Sequence, residues 1–166
     1  MHSRLQINGD EMVKLAVIRI RGRVDVPPDV KKTLELLRLH KKFHAVIIDD
    51  RPSYLGMLRK VQDYVTWGEI DYDTLVLLLK RRGRLRGNRK IDENFLKKYG
   101  YSSIEELARA IIDCEIKITD IPELKPVFRL SPPSGGFKGT IKKHYKDKGE
   151  LGYRGSAIND LIKRMA

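Results

Sequence analysis

Hydrophobic and polar positions alternate over residues 13–21 and again over 43–49, which predicts two β-strands, and a third short strand is predicted at 66–70. Between these strands lie two segments with apolar residues at helical spacing. The first stripe comprises Val30, Leu34 and Leu37, widened by Leu36 and Leu39, and the second comprises Tyr54, Leu58, Val61 and Val65, with Ser53 as a candidate cap. The order βαβαβ predicts a small sheet with both helices on one face, as in ferredoxin-like split βαβ units.

The downstream half is predominantly helical in pattern. Leu75, Leu78 and Leu79 predict a helix after Asp71, two short helices are expected at 92–99 and 103–112, and a last helix carries Ile158, Leu161, Ile162 and Met165 on one side. A strand is predicted at 126–130, and residues 140–154 are expected to be irregular. The sequence therefore predicts an α+β protein: an N-terminal extension (1–12), a ferredoxin-like core (13–70), and a helical and irregular C-terminal extension (71–166).

A positive net charge changes the functional picture. Among 166 residues, 34 Lys and Arg face 22 Asp and Glu, which gives +12 and favours a polyanionic partner such as nucleic acid. No apolar run approaches the length of about 18 residues that a membrane helix needs, and the first residues lack an apolar signal-type stretch. We therefore expect a cytoplasmic protein without a membrane partner. Cys114, the single cysteine, is expected to be a small buried side chain.

The densest charge lies at residues 80–90. Seven of these eleven residues are basic and none is acidic: Lys80, Arg81, Arg82, Arg84, Arg86, Arg89 and Lys90. Such a run can engage phosphates, although a solvated loop or a localisation signal is the alternative, and the charge spread over the rest of the chain favours contact with RNA or DNA. A second basic segment contains Lys138, Lys142, Lys143, Lys146 and Lys148, interleaved with Phe137, His144 and Tyr145.

Arginines also alternate along the first predicted strand. Arg19, Arg21 and, if the strand extends, Arg23 would project from one sheet face as a ladder that follows a phosphate backbone. The alternative is a charged, protected sheet edge. Trp67 could stack on a base, but a single tryptophan near a strand more often packs in a core, which we favour. For Asp49 and Asp50, capping or pairing with Arg51 is favoured over a metal site.

Signatures of catalysis are missing from the sequence. None of the patterns HExxH, GxSxG, GxGxxG or GxxxxGK[ST] occurs, and the four histidines include no pair at the spacing of a helical metal site. We therefore expect neither an enzyme nor a cofactor, a metal or a small-molecule substrate.

Several blocks occur in an order that resembles a known family. They are VIRIRG (17–22), LELLRLHK (34–41), PSYLGMLRKVQDYVTWGEI (52–70), KRRGRLRGN (80–88), PVFRLSPPSGGFKG (126–139) and GYRGSAINDLIKRM (152–165). The chain is similar to the archaeal and eukaryotic large-subunit ribosomal proteins numbered thirty in the L series, called seven in older eukaryotic naming. It lacks the long basic N-terminal arm of the eukaryotic members, and so looks archaeal.

This resemblance implies a ribosome-bound structural constituent of the large subunit that contacts large-subunit rRNA and neighbouring ribosomal proteins. It also implies that Arg19, Arg21, the 80–90 run, Gly135, Gly136, Lys138 and Arg154 face RNA. With Arg23, Lys142 and Lys143 these are the candidate RNA-binding residues. The alternatives are an RRM-type module, which needs aromatic residues where this chain has Arg19 and Arg21, and an RNA-modifying enzyme, for which no catalytic group is found.

Overall fold

The architecture is built around three strands at the centre of one sheet. In the computed structural model, which describes residues 13–166, these are β1 (Lys14–Arg19), β2 (His44–Asp49) and β3 (Val65–Glu69). Strand β1 lies between the other two and is antiparallel to both, with Val17 opposite Val46 on one side and Trp67 on the other. β2 and β3 are therefore parallel to each other and separated by β1, which confirms the predicted ferredoxin-like split unit. The expected N-terminal extension, 1–12, lies outside the described residues.

Helices α1 (Pro28–Leu36) and α2 (Pro52–Lys60) pack on one face of this sheet, and each begins with a proline that fits a first helical turn. Their buried partners on the strands include Leu15, Val17 and Trp67. The predicted stripes are correct except at two positions. Leu36 is 63% exposed because it lies beside the buried face, and Val65 begins β3 after the chain has left α2. The residue at the cap position of α2 is Arg51, so the prediction of Ser53 as the cap is wrong.

The opposite sheet face is covered by the C-terminal half of the chain. Helices α3 (Tyr72–Arg82), α5 (Ile104–Ile112) and α6 (Ala157–Met165) contribute to one hydrophobic cluster with the alternate residues of β1. Ala16, Ile18 and Ile20 lie in that cluster, each with no exposed surface. The first strand of the chain is thus buried on both faces.

Three further strands widen the sheet, whose order is β6-β2-β1-β3-β8-β7. β6 (Val127–Arg129) is antiparallel to β2, and β8 (Gly149–Tyr153) is parallel to β3. β7 (Thr140–His144) pairs with β8 in an irregular register. The prediction that 140–154 is irregular is therefore wrong. β7 and β8 are poor in apolar residues; pairing with the outer edge of β3 stabilises β8, and pairing with β8 stabilises β7.

The remaining elements are small. A hairpin of β4 (Arg84–Leu85) and β5 (Arg89–Lys90) follows α3, and α4 (Glu93–Lys98) precedes α5. Ser103 caps α5, because its hydroxyl accepts a hydrogen bond from the backbone N–H of Glu106 at 3.2 Å. Cys114 is exposed, not buried as predicted, since it follows the end of α5 where the backbone turns at a φ of +62°.

Adjacent leucines at the end of α1 test this packing. We expect Leu37→Ala to lower the free energy of unfolding by about 2–5 kcal/mol, because Leu37 is 3% exposed and its truncation leaves a cavity. Leu36→Ala is the matched control, and we expect a change within about 0.5 kcal/mol. Urea unfolding followed by circular dichroism measures both. Equal losses in the two variants would contradict the assignment of the buried face.

Candidate nucleic-acid interface

The basic run at 80–90 is divided between the end of α3 and a tight hairpin. Lys80, Arg81 and Arg82 form the last turn of α3, where Lys80 pairs with Glu105 at 2.8 Å. Residues 84–90 form the hairpin, here called the basic hairpin. Its turn needs Gly87, whose φ is +79°, a backbone conformation that glycine adopts without strain.

The basic hairpin is fixed to the protein by its non-polar member. Leu85 has no exposed surface and lies opposite Leu124 in an isolated bridge. On either side of that bridge, the backbone N–H of Arg86 donates to the carbonyl of Glu123, and that of Lys125 donates to the carbonyl of Arg84, both at 2.9 Å. The tip is left in solvent, where Arg86, Gly87, Asn88, Arg89 and Lys90 are all exposed.

Between the basic hairpin and β6 lies a concave surface, here called the cationic cleft. It is lined by Arg82, Arg84, Asn88, Lys125, Val127 and Arg129. Four of these six residues are cationic and none is acidic. Sequence reasoning missed Lys125 and Arg129 because they lie 35 or more residues after the basic run, each as an isolated cation. The pairing of β6 with β2 and the Leu85–Leu124 bridge bring Lys125 and Arg129 to the cationic cleft.

A second cationic surface lies at the opposite edge of the sheet, on residues 138–148, here called the basic arm. Its lysines, all exposed, are Lys138, Lys142, Lys143, Lys146 and Lys148. The imidazole of His144 lies 2.7 Å from a carboxylate oxygen of Asp63 and ties the arm to the loop after α2. Gly135 and Gly136, which precede the arm, are exposed in a turn with φ near +79° at both residues.

Arg154, predicted to face RNA, is instead buried at the base of the basic arm, with 8% of its surface exposed. Its guanidinium donates to the hydroxyl of Thr66 at 2.8 Å, to the carbonyl of Glu150 at 2.7 Å and to the carboxylate of Glu150 at 2.8 Å. The second carboxylate oxygen of Glu150 accepts from the backbone N–H of Gly139 at 2.6 Å. The prediction is corrected for this residue: Arg154 joins β3, β8 and the start of the arm.

Arg19 also departs from the predicted ladder. It is 4% exposed, and its guanidinium donates to the backbone carbonyls of Leu39, Arg21 and Gly22 at 2.7–3.0 Å. The prediction of an exposed arginine row along β1 is therefore wrong at Arg19, because its side chain holds the segment after β1 and the segment after α1 by hydrogen bonds. Arg21, half-buried against the ring of Tyr64, and the exposed Arg23 lie beyond that end.

Two structural interpretations of polar or aromatic residues are confirmed. Trp67 is 8% exposed and packs against Tyr153, with 6.3 Å between ring centroids. Asp49 accepts two hydrogen bonds from the Arg51 guanidinium, at 2.8 and 2.7 Å. Burial alone would raise the pKa of Asp49, but the hydrogen bonds and charge of Arg51 outweigh it and hold the pKa below its ordinary value.

Over residues 13–166, no three His, Cys, Asp or Glu side chains lie close enough together to hold a metal ion. Within the same range, none of the helices has the length and apolar character needed to cross a membrane. The candidate site is therefore a set of charged surfaces at the rim of the sheet.

The fold and these surfaces define a basic α+β protein of the ferredoxin-like class, with cations concentrated at two edges of one sheet. The chain belongs to the family described as ribosomal protein L30p/L7e, whose model matches residues 15–65. Its relatives extend this match beyond the central strands. The large ribosomal subunit protein uL30 of Thermofilum pendens is 56% identical over 155 residues, which cover 93% of this chain and 99% of the relative.

Two more archaeal relatives carry the same name. That of Staphylothermus marinus is 56% identical over 156 residues, covering 90% of this chain and 96% of the relative. That of Archaeoglobus fulgidus is 54% identical over 151 residues, covering 90% and 98% respectively. The similarity thus includes the C-terminal extension with the basic hairpin and the basic arm.

The role of Arg154 can be tested through its partner. We expect Arg154→Met to lower the free energy of unfolding by about 3–5 kcal/mol, because it leaves the buried carboxylate of Glu150 without its cation. The double variant Arg154→Met/Glu150→Gln should lose less, since the stranded charge is removed as well. Chemical denaturation measures both. An Arg154→Met protein of unchanged stability but reduced RNA affinity would restore the original prediction.

His44 predicts a pH dependence of stability. Burial lowers its pKa, and the charges of Arg129, His40, Lys41 and Arg19 lower it further. Nδ1 of His44 is buried without a hydrogen-bond partner among the described residues. Since the unfolded chain takes up the proton first, at a pKa of about 6.5, the free energy of unfolding should fall as the pH decreases below that value.

The matched variants are His44→Gln and His40→Gln, the second at an exposed position. Between pH 7.5 and 5.5 we expect the wild type to lose the most stability and His44→Gln the least. His40→Gln should lose slightly less than the wild type, because one of the charges that lower the pKa of His44 is gone. Urea denaturation at each pH gives the three curves. Three identical slopes would show that His44 does not carry the effect.

Proposed function

We propose that this protein is a structural constituent of the large ribosomal subunit that binds and stabilises large-subunit rRNA. The observation that carries this proposal is the similarity over nearly the whole chain to proteins named for that subunit, 56% identity across 93% of the chain in one case. The net charge of +12 supports a polyanionic partner. On this proposal the protein acts without turnover, bound to ribosomes in the cytoplasm, beside other ribosomal proteins.

The position of the cations supports binding at two places. The basic hairpin and cationic cleft lie beside β6, and the basic arm includes β7, at the opposite edge of a six-stranded sheet. With neighbouring strands about 4.8 Å apart, the edges are separated by roughly 24 Å. The two surfaces can therefore contact different segments of a folded RNA. Neutralising packed phosphates on both sides would hold those segments together.

We assign the RNA contacts to the exposed members of the predicted set, which excludes Arg19 and Arg154. They are Arg23, Arg81, Arg86, Arg89 and Lys90, and Gly135, Gly136, Lys138, Lys142 and Lys143 in and beside the basic arm. The half-buried Arg21 keeps part of its surface open beside Arg23. Lys80 is held by Glu105 and contributes less to this surface. Arg82 and Arg84 line the cationic cleft.

An RRM-type module is disfavoured by the packing of the sheet. Such a module stacks bases on an open sheet face. Here α1 and α2 cover one face and α3, α5 and α6 cover the other, so that Trp67 and the central strands are buried. Over residues 13–166 the faces of the central strands are closed to RNA, which leaves the sheet edges, the loops and the outer surfaces of the helices.

Sedimentation of a native lysate through sucrose tests the proposal. We expect the protein to co-sediment with the large subunit and to remain there after a high-salt wash. A variant of the basic arm with Lys138, Lys142, Lys143 and Lys146 changed to Gln should dissociate at a lower salt concentration, because it neutralises fewer phosphates.

The matched control changes four exposed cations outside these surfaces, Lys31, Lys32, Arg59 and Lys97, to Gln. It should sediment as the wild type does. Recovery of the wild-type protein at the top of the gradient would overturn the proposed function. Dissociation of both variants at the same salt concentration would overturn the role of the basic arm.

A further inference from the structure

In the cationic cleft, charged residues from three segments of the chain line one shared space. Arg82 ends α3, Arg84 belongs to the basic hairpin, and Lys125 and Arg129 lie before and at the end of β6. Asn88 adds an uncharged amide from the hairpin tip. Like charges brought to one place repel each other, and an anion between them would remove that repulsion.

Two of the guanidinium groups are held in place by the protein. Arg82 donates to the backbone carbonyl of Arg129 at 2.9 Å and to the hydroxyl of Ser131 at 2.7 Å. Arg84 donates to the carbonyls of Gly83 and Arg81 at 2.8 and 3.2 Å. Each guanidinium has five N–H donors, so these bonds leave three for a ligand. A cation that is already positioned loses little conformational entropy when it binds.

The two carboxylates that are close in sequence to the lining residues pair with cations outside the cleft. Asp92 lies 3.8 Å from Arg89, and Glu123 pairs with Lys98. Neither of them lines the cleft. In the part of the chain that the structure describes, its cations therefore have no acidic partner within it, and the charge they present is available to an external anion.

We propose that the cationic cleft is a subsite for a single phosphate group of the RNA backbone, shared by Arg84 on one side and Arg129 on the other. This inference rests on the proposed function and adds a defined site to it. A phosphate carries oxygens that can accept hydrogen bonds from several donors at once, which suits guanidinium groups that line one cleft. The exposed hairpin beside it allows the RNA strand to continue past the cleft.

A double-mutant cycle separates a shared phosphate from independent contacts. The full chain is titrated with transcribed large-subunit rRNA over a range of KCl concentrations, using Arg84→Gln, Arg129→Gln and the double variant. Each phosphate contact contributes about 0.7–0.9 to the slope of log affinity against log salt, so one lost contact weakens binding about sixfold at 0.1 M relative to 1 M KCl. With a shared phosphate, we expect the double variant to lose about sixfold in total.

If Arg84 and Arg129 contact different phosphates, the affinity losses of the two single variants add, and the double variant loses about fortyfold in affinity at 0.1 M relative to 1 M KCl. That result would overturn the shared subsite. A loss in Arg129→Gln alone shows that the effect does not come from a damaged hairpin, because the side chain of Arg129 makes no described hydrogen bond within residues 13–166. Arg59→Gln/Lys97→Gln carries the same charge change at exposed positions and should bind as the wild type does. An unchanged affinity in all cleft variants would also overturn the proposal.

Two further measurements distinguish failure of the proposed function from failure of the cleft, and an RNA phosphate from free phosphate. Absence of rRNA binding by the wild type would count against the proposed function itself, whereas binding with additive losses counts against the cleft alone. Thermal unfolding with and without millimolar orthophosphate, at constant ionic strength, tests the free anion. A rise in melting temperature that needs Arg84 and Arg129, together with unaltered rRNA affinity, would assign the cleft to free phosphate instead.

Discussion

Burial of β1 on both faces is the constraint on which the rest of the structure depends. Leu15 and Val17 face the helices of the N-terminal half, while Ala16 and Ile18 face those of the C-terminal half. Because side chains alternate along a strand, one short segment can hold two hydrophobic layers together. As a consequence, over residues 13–166 neither face of β1 is open to a ligand. The cationic surfaces described above are accordingly built at the sheet edges, on a hairpin and on an arm.

Buried residues therefore position the surface cations at the edges of the sheet. At one edge Leu85 anchors the basic hairpin, and the cations of the cationic cleft follow from that placement. At the other edge the buried pair of Arg154 and Glu150 holds the start of the basic arm through Gly139. Leu85 and the Arg154–Glu150 pair are both buried, yet they determine where the exposed lysines and arginines lie. Loss of either anchor would move a surface as well as weaken the fold.

Periodicity predicted the parts of this structure that apolar burial creates. The three central strands, the helices with leucine stripes and the core position of Trp67 follow from spacing and residue type. Strands β7 and β8 do not, because β7 is mostly polar and exposed and β8 contains Gly149 and Gly152. Their formation depends on the pairing of β8 with β3 and of β7 with β8. Arg19 and Arg154 were predicted as exposed because a charged side chain in a sequence gives no sign that carbonyls and a carboxylate surround it. The place of Lys125 and Arg129 in the cationic cleft could not be predicted, because it depends on the pairing of β6 with β2.

The distribution of acidic residues explains why so much positive charge remains at the surface. Asp49 and Glu150 are each 4% exposed and are used for internal pairs with Arg51 and Arg154. These two carboxylates neutralise Arg51 and Arg154 and therefore do not offset the exposed cations at the rim, of which Lys80 and Arg89 have acidic partners at the surface. Salt screens such a surface in the free protein, while a polyanion would release its own counterions on binding. The exposed cations at the rim therefore favour a polyanionic ligand.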